Sequence, residues 1–255
     1  MPHATANGHA TCSVPMIVAH RGGLEVHQFE TQQAMEAAAA AGFSVETDVR
    51  YTADGVAVLV HDEKATKGLD CGGRSITVST TTWAELSKYC KSKPTAKDPA
   101  QYRVPRLDAT LEGIAAASDQ VMVFLELKTR QTARQREDFL AAPVNVGLRD
   151  RTVITSFNRD WLDAIAKADP NTRRMLFVSG KRVPAADLSG DKLWAVGVEQ
   201  RLATSGYVDE LKAAGLRVMI WVLNDTKQWT GFVKLDPDLV MTAYPAKFRD
   251  WLENR

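Results

Sequence analysis

The stretch Ser44-Val-Glu-Thr-Asp-Val49, continuing through Arg50-Tyr-Thr-Ala-Asp-Gly-Val-Ala-Val-Leu-Val-His61, decides how this chain folds. Its first six residues read as a strand, and because side chains on a strand alternate with period two, Glu46 and Asp48 project to the same side. A second apolar run, 56–60, follows after only the turn-like Thr52-Ala53-Asp54-Gly55. A parallel crossover needs a dozen or more residues, so this run must fold back as an antiparallel hairpin. The return brings His61 to the neighbourhood of Glu46 and Asp48, from which the hairpin sets out.

Outward from this stretch, apolar and β-branched runs recur at 14–19, 44–49, 121–127, 152–156, 174–178, 194–199, 217–222 and 239–242. Between most of them lie alanine- and leucine-rich stretches with cap signals, such as 31–41 stopped by Gly42 and 204–214 stopped by Gly215. Strand and helix in alternation predict parallel β-α units. Eight such strands in 255 residues predict one (β/α)8 TIM barrel with the hairpin and an irregular insertion after its second strand. The domain is expected over 14–255, behind a flexible segment 1–13. The insertion, about 64–106, holds Gly72-Gly73, a Ser/Thr cluster at 77–82 and a Lys/Pro-rich stretch at 91–99. Thr82-Trp-Ala-Glu85 is a capping box, which predicts one short helix ending near Cys90. No internal repeat is visible.

Composition is ordinary for a globular chain, with 45% hydrophobic and 25% charged residues. A net charge of +1 gives no broad basic field, so nucleic acid is not an expected partner. No run of eighteen apolar residues occurs, so no stable membrane insertion is expected. The opening residues lack the basic and apolar regions of a signal peptide, which predicts a mature or cytosolic chain. Cys12, Cys71 and Cys90 contain no CxxC pair, which argues against a thiolate zinc site. Whether Cys71 and Cys90 pair is open. A disulfide there would staple an insertion with few apolar residues of its own, leave Cys12 over, and favour a secreted or periplasmic protein, whereas free thiols would favour the cytoplasm.

The chemistry collects at the carboxyl ends of the predicted strands, where barrels hold their active sites. The first strand ends in His20-Arg21-Gly22-Gly23. The second points Glu46 and Asp48 into the barrel mouth, and the third adds Glu126-Leu-Lys128, again with the charged pair on one face. Inward carboxylates are costly unless a cation joins them, and three of them suit a hard divalent ion such as Mg2+ or Ca2+. His20 and His61 flank the acids, and imidazole can both take and give protons near neutral pH. Arg21 and Lys128 are fitted to non-bridging phosphate oxygens. His3 and His9 fall in the terminal segment and His27 in what reads as an exposed loop. Trp83, Trp161, Trp194, Trp229 and Trp251 read as packing residues.

In this order and spacing, His20-Arg-Gly22, Glu46-Thr-Asp48, Thr52-x-Asp54-Gly55, His61-Asp62 and Glu126-Leu-Lys128 resemble the glycerophosphodiester phosphodiesterases. Ser156-Phe157 and Trp221-Val-Leu-Asn224 look like that family's later landmarks, so the likeness spans about 16–247. The resemblance implies a barrel enzyme acting on small glycerol-phosphate diesters. It implies Glu46, Asp48 and Glu126 as metal ligands, His20 and His61 as the acid–base pair, and Trp221 against the substrate. In the family's mechanism a neighbouring glycerol hydroxyl can attack phosphorus to give a cyclic phosphate, which water opens. Two departures bear on substrate choice: the family's Glu-Asn-Thr reads Phe29-Glu30-Thr31, and its Thr-Asp-x-Pro reads Thr242-Ala243-Tyr244-Pro245. A lyase acting on lipid head groups, or a barrel that binds phosphate without catalysis, are the alternatives. No protein partner is implied.

Overall fold

A computed structural model describes residues 14–255; His3, His9, Cys12 and the expected flexible segment lie outside the described residues. The strands are β1 Met16–Ala19, β2 Ser44–Tyr51, β3 Ala57–Leu59, β4 Leu69–Asp70, β5 Lys91–Ser92, β6 Val123–Leu127, β7 Thr152–Ser156, β8 Arg173–Val178, β9 Ala195–Glu199, β10 Arg217–Trp221 and β11 Leu239–Thr242. The helices are α1 Gln32–Ala40, α2 Trp83–Tyr89, α3 Leu107–Ala117, α4 Ala133–Asn145, α5 Arg159–Ala168, α6 Ala185–Leu188, α7 Ser205–Ala213, α8 Thr226–Val233 and α9 Pro245–Glu253.

Eight strands run parallel in the order β1-β2-β6-β7-β8-β9-β10-β11, and pairing of β11 with β1 closes them into a (β/α)8 barrel. Period-two alternation sorts their side chains into two cores. Val45, Val49, Leu125, Leu127, Val218, Ile220 and Val240 face the surrounding helices. Val18, Phe124, Val153, Met175, Met219, Leu239 and Met241 fill the lumen. The lumen is therefore packed, and polar inward positions concentrate at the strands' carboxyl ends.

The expected hairpin is present, with β3 antiparallel to β2. Val49 pairs with Leu127 on one side and Leu59 on the other, so β3 takes the edge of β2 that β1, ending at Ala19, leaves free. The cap signals act as read. Thr31 Oγ1 accepts from Ala34 N–H at 3.1 Å to start α1, and Gly42, at φ +82°, stops it. Thr82 and Glu85 form the reciprocal capping box of α2.

The insertion differs from expectation in one respect. It has its own apolar core of Ala65, Leu69, Ile76, Val78, Leu86 and Val104, completed by Val58 and Val60 from the hairpin. Cys71 and Cys90 are joined within that core as a disulfide.

Candidate active site

The carboxyl ends of the barrel strands and the loops that follow them supply the site. After β1 the chain turns sharply through His20, Arg21 and Gly22, with Arg21 in the left-handed region at φ 53°, ψ 37°. Gly22 is required there, because a β-carbon on it would stand 2.8 Å from the α1 backbone at Ala34 and Met35. The turn aims the Arg21 amide at Glu46 Oε2, 3.1 Å away, and its guanidinium Nε at Asp48 Oδ2, 2.9 Å away. The face of Phe29 lies 5.6 Å from the same guanidinium. Lys128, just past β6, reaches Glu126 Oε1 at 2.9 Å and Asp48 Oδ1 at 3.4 Å.

Glu46, Asp48 and Glu126 are buried together, each offering an oxygen within 4.8 Å of the others. Ligand atoms on one Ca2+ lie at most about 5 Å apart and those on one Mg2+ at most about 4.2 Å, so the three oxygens are spaced for Ca2+ as they stand and for Mg2+ with a slight inward shift. Glu30, buried at φ 59°, adds a fourth carboxylate, whose Oε1 accepts from the Asp48 amide and the Thr47 hydroxyl, both at 3.3 Å. Four carboxylates thus face the two cations Arg21 and Lys128, and the ionised cluster carries two surplus negative charges. Burial, reinforced by Asp48, drives Glu30 and Glu46 well above the usual carboxylate range and Glu126 to about 7. Burial pushes Asp48 the same way, but Arg21 and Lys128 outweigh it and hold Asp48 below its ordinary value. A hard divalent cation supplies the charge this cluster lacks, so the residues present fit the metal that the family pattern implies.

Both histidines stand beside the cluster and are held neutral. Burial, then Arg21, lowers His20 to about 3; burial also lowers His61, against the opposing pull of Asp48. His61 is among the groups that lower His20. His61 Nδ1 lies 2.6 Å from Asp62 Oδ1. A carboxylate can only accept, so Nδ1 carries the proton and Nε2 is left free. The sequence contained Asp62 in its His-Asp pair, but only this contact assigns it a role.

The rings of Phe157, Phe177 and Trp221 pack at centroid distances of 5.0 to 5.5 Å, and the face of Phe157 lies 5.8 Å from Lys128 Nζ. Trp221 is half-buried, and its indole N–H is buried without a hydrogen-bond partner. Asn224 has a structural role: its Oδ1 accepts from the Ala243 amide at 2.8 Å, tying the end of β10 to the loop that lacks the family's acid. The reading of His27 as an exposed-loop residue is corrected. It is half-buried, its Nδ1 is 2.5 Å from Asp98 Oδ2, and Tyr102 donates to that same oxygen at 3.0 Å. The bond ties the β1–α1 loop to the insertion. A separate cavity of about 530 Å3 on the outer wall, lined by Tyr51, Arg106, Phe139 and Asp138 among others, contains neither histidine nor cysteine.

With this geometry in view, comparison with known proteins is decisive on family. Residues 20–247 match the model of the glycerophosphoryl diester phosphodiesterase family. The chain belongs to that family. Membership makes it a phosphoric diester hydrolase by class and agrees with the barrel and with the motifs that meet at its mouth. A glycerophosphodiester phosphodiesterase of Bacillus altitudinis is 24% identical over 90% of this chain and 94% of its own. A phosphodiesterase of Oleispira antarctica, solved in complex with the product sn-glycerol-3-phosphate, is 25% identical, with a TM-score of 0.77 over 94% of this chain and 97% of that one. A Silicibacter pomeroyi structure at 22% identity shares the fold, with a TM-score of 0.85 over 95% of this chain and 94% of its own.

Proposed function

We propose that this phosphodiesterase hydrolyses small glycerophosphodiesters, of the kind left when phospholipids lose their acyl chains, to glycerol phosphate and an alcohol. The observation that carries the reading is the buried meeting of Glu46, Asp48 and Glu126 within 4.8 Å of one another, in contact with Arg21 and Lys128. The glycerol phosphate held as product by the Oleispira antarctica relative supports the same class of substrate.

Glu46, Asp48 and Glu126 would hold a divalent ion, Mg2+ or Ca2+, which when bound neutralises charge on the phosphate oxygens. Arg21 and Lys128 bind the non-bridging oxygens and orient phosphorus for in-line attack. One neutral imidazole takes the proton of the attacking oxygen, and the other, having taken up a proton beside the bound anionic phosphate, gives it to the departing alkoxide, so that the two exchange charge states. If the attacking group is the neighbouring glycerol hydroxyl, the roles reverse when water opens the cyclic phosphate, and the pair ends as it began. Trp221, with Phe157 and Phe177, forms the apolar wall against which the carbon skeleton rests. The Cys71–Cys90 bond supports an oxidising, extracytoplasmic compartment.

The test is turnover of glycerophosphocholine and glycerophosphoethanolamine followed by phosphorus NMR, with Mg2+, Ca2+ or chelator. His20→Ala and His61→Ala should each lower kcat by about 10²–10⁴-fold in folded protein, and chelation should abolish turnover. Unchanged turnover in both variants would refute the acid–base assignment, and accumulation of a cyclic phosphate as the end product would replace hydrolysis by a lyase reaction.

A further inference from the structure

The overall charge of +1 hides an asymmetry. Residues 62–106 contain nine Lys and Arg against five Asp and Glu, a local charge of +4, which leaves −3 for the rest of the chain. Burial sharpens the contrast. Eight of the nine cations are exposed, but only two of the five acids are. The other three have partners that offset their charge or occupy their oxygens: Asp62 has His61, Glu63 has Arg50, and Asp98 has His27 and Tyr102. Lys67 is paired with Asp62 and Arg106 with Asp108, and the six remaining exposed cations leave the insertion with a net basic surface.

An apolar element sits in the same place. Val26 is 44% exposed, and its carbonyl accepts from the Thr95 hydroxyl, so it stands beside the segment that carries Lys93, Pro94, Lys97 and Pro99, all exposed. Phe157, 46% exposed, lies at the end of β7 on the same face of the barrel. These two are the large apolar side chains exposed around the mouth among the described residues. Exposed apolar groups flanked by lysines are matched to the boundary of a bilayer, where the stems enter the headgroup layer and the ammonium groups meet lipid phosphates.

We propose that the insertion and the adjoining β1–α1 loop dock the protein, mouth first, on an anionic lipid surface. A nucleic acid would also meet the charge, but exposed Val26, bonded to the segment that carries Lys93 and Lys97, favours lipid. The His27–Asp98 and Thr95–Val26 bonds make the two segments one rigid footprint. Docking there would hold the mouth where lipid-derived diesters arise; that consequence rests on the phosphodiesterase reading, whereas the docking itself does not.

Sedimentation with vesicles separates the two. The full chain should pellet with phosphatidylcholine vesicles containing about one-third phosphatidylglycerol, bind pure phosphatidylcholine at least tenfold more weakly, and be released as salt rises through about 0.1–0.5 M. Lys93→Glu/Lys97→Glu should weaken binding to the anionic vesicles at least tenfold, and Val26→Ser about three- to fivefold. Both variants should turn over soluble glycerophosphocholine like the parent. Equal binding to neutral and anionic vesicles, or anionic binding unchanged in the double variant, would overturn the proposal. Failure of the parent to cleave soluble glycerophosphocholine would instead strike at the phosphodiesterase reading and leave the vesicle result standing.

Discussion

His61 can act as a base only through the nitrogen that Asp62 leaves free, and the dependence is measurable. Asp62→Ala removes the acceptor from Nδ1, so the ring can rotate and take the other tautomer. The expected loss is about 10–100-fold in kcat with little change in KM, partly rescued by Asp62→Asn, whose amide oxygen still accepts. Steady-state kinetics of the two variants check it. Most of the site's residues were legible because strand alternation and strand-end position depend on local sequence. Glu46, Asp48, Glu126 and Lys128 needed only period two. His27 was misread because its partner lies 71 residues along the chain, where no local pattern reaches. Glu30 was visible as a departure from the family pattern, but not its left-handed backbone or its bond to the Asp48 amide.

Among elements, the insertion depends most on a covalent tie. Its core is small and borrows Val58 and Val60 from the hairpin, and the disulfide closes a separation of 19 residues around it. A loop of this size is worth about 3 kcal/mol through the entropy of the unfolded chain. Cys71→Ser/Cys90→Ser should therefore lose amide-exchange protection across residues 64–95 while barrel strands β6 to β10 keep theirs. Hydrogen exchange by mass spectrometry reads both regions at once. Equal loss in barrel and insertion would mean that the two unfold as one unit. The capping box of α2 was legible as a four-residue signal. The apolar core of the insertion was not, since Ala65, Leu69, Ile76, Val78 and Val104 follow neither a helical nor a strand period.

For the whole molecule, the surplus negative charge of the mouth makes stability depend on pH. Glu30, Glu46 and Glu126 have folded-state pKa values raised above their ordinary range, so the folded protein binds protons that the unfolded chain releases. Their contribution is present at low pH and is lost as pH rises, for Glu126 through about 7. His20 and His61 are lowered and act in the opposite sense, but only below the ordinary histidine value of 6.5. Asp48 is lowered too, and its contribution is lost only below about 3.8. Between pH 6.5 and 8 the raised carboxylates therefore set the sign. Metal-free protein should melt about 2–4 °C higher at pH 6.5 than at pH 8, the equivalent of roughly 1 kcal/mol for a domain of this size. A divalent cation should reverse that order, because it binds the deprotonated acids. Scanning calorimetry with and without chelator reads both effects. The barrel was legible at this scale from eight recurring strands; the uneven surface charge was not, because a net count of +1 averages a basic insertion with an acidic remainder.

We propose that Glu46, Asp48 and Glu126 together bind one divalent cation beside His20 and His61. Titration calorimetry of Mg2+ and of Ca2+ into chelator-stripped protein tests it most directly, with Glu46→Gln, Asp48→Asn and Glu126→Gln alongside. One ion per chain, protons released on binding at pH 7, and affinity reduced at least tenfold in every variant are expected. No measurable binding by the parent, or binding that survives all three substitutions, would contradict it.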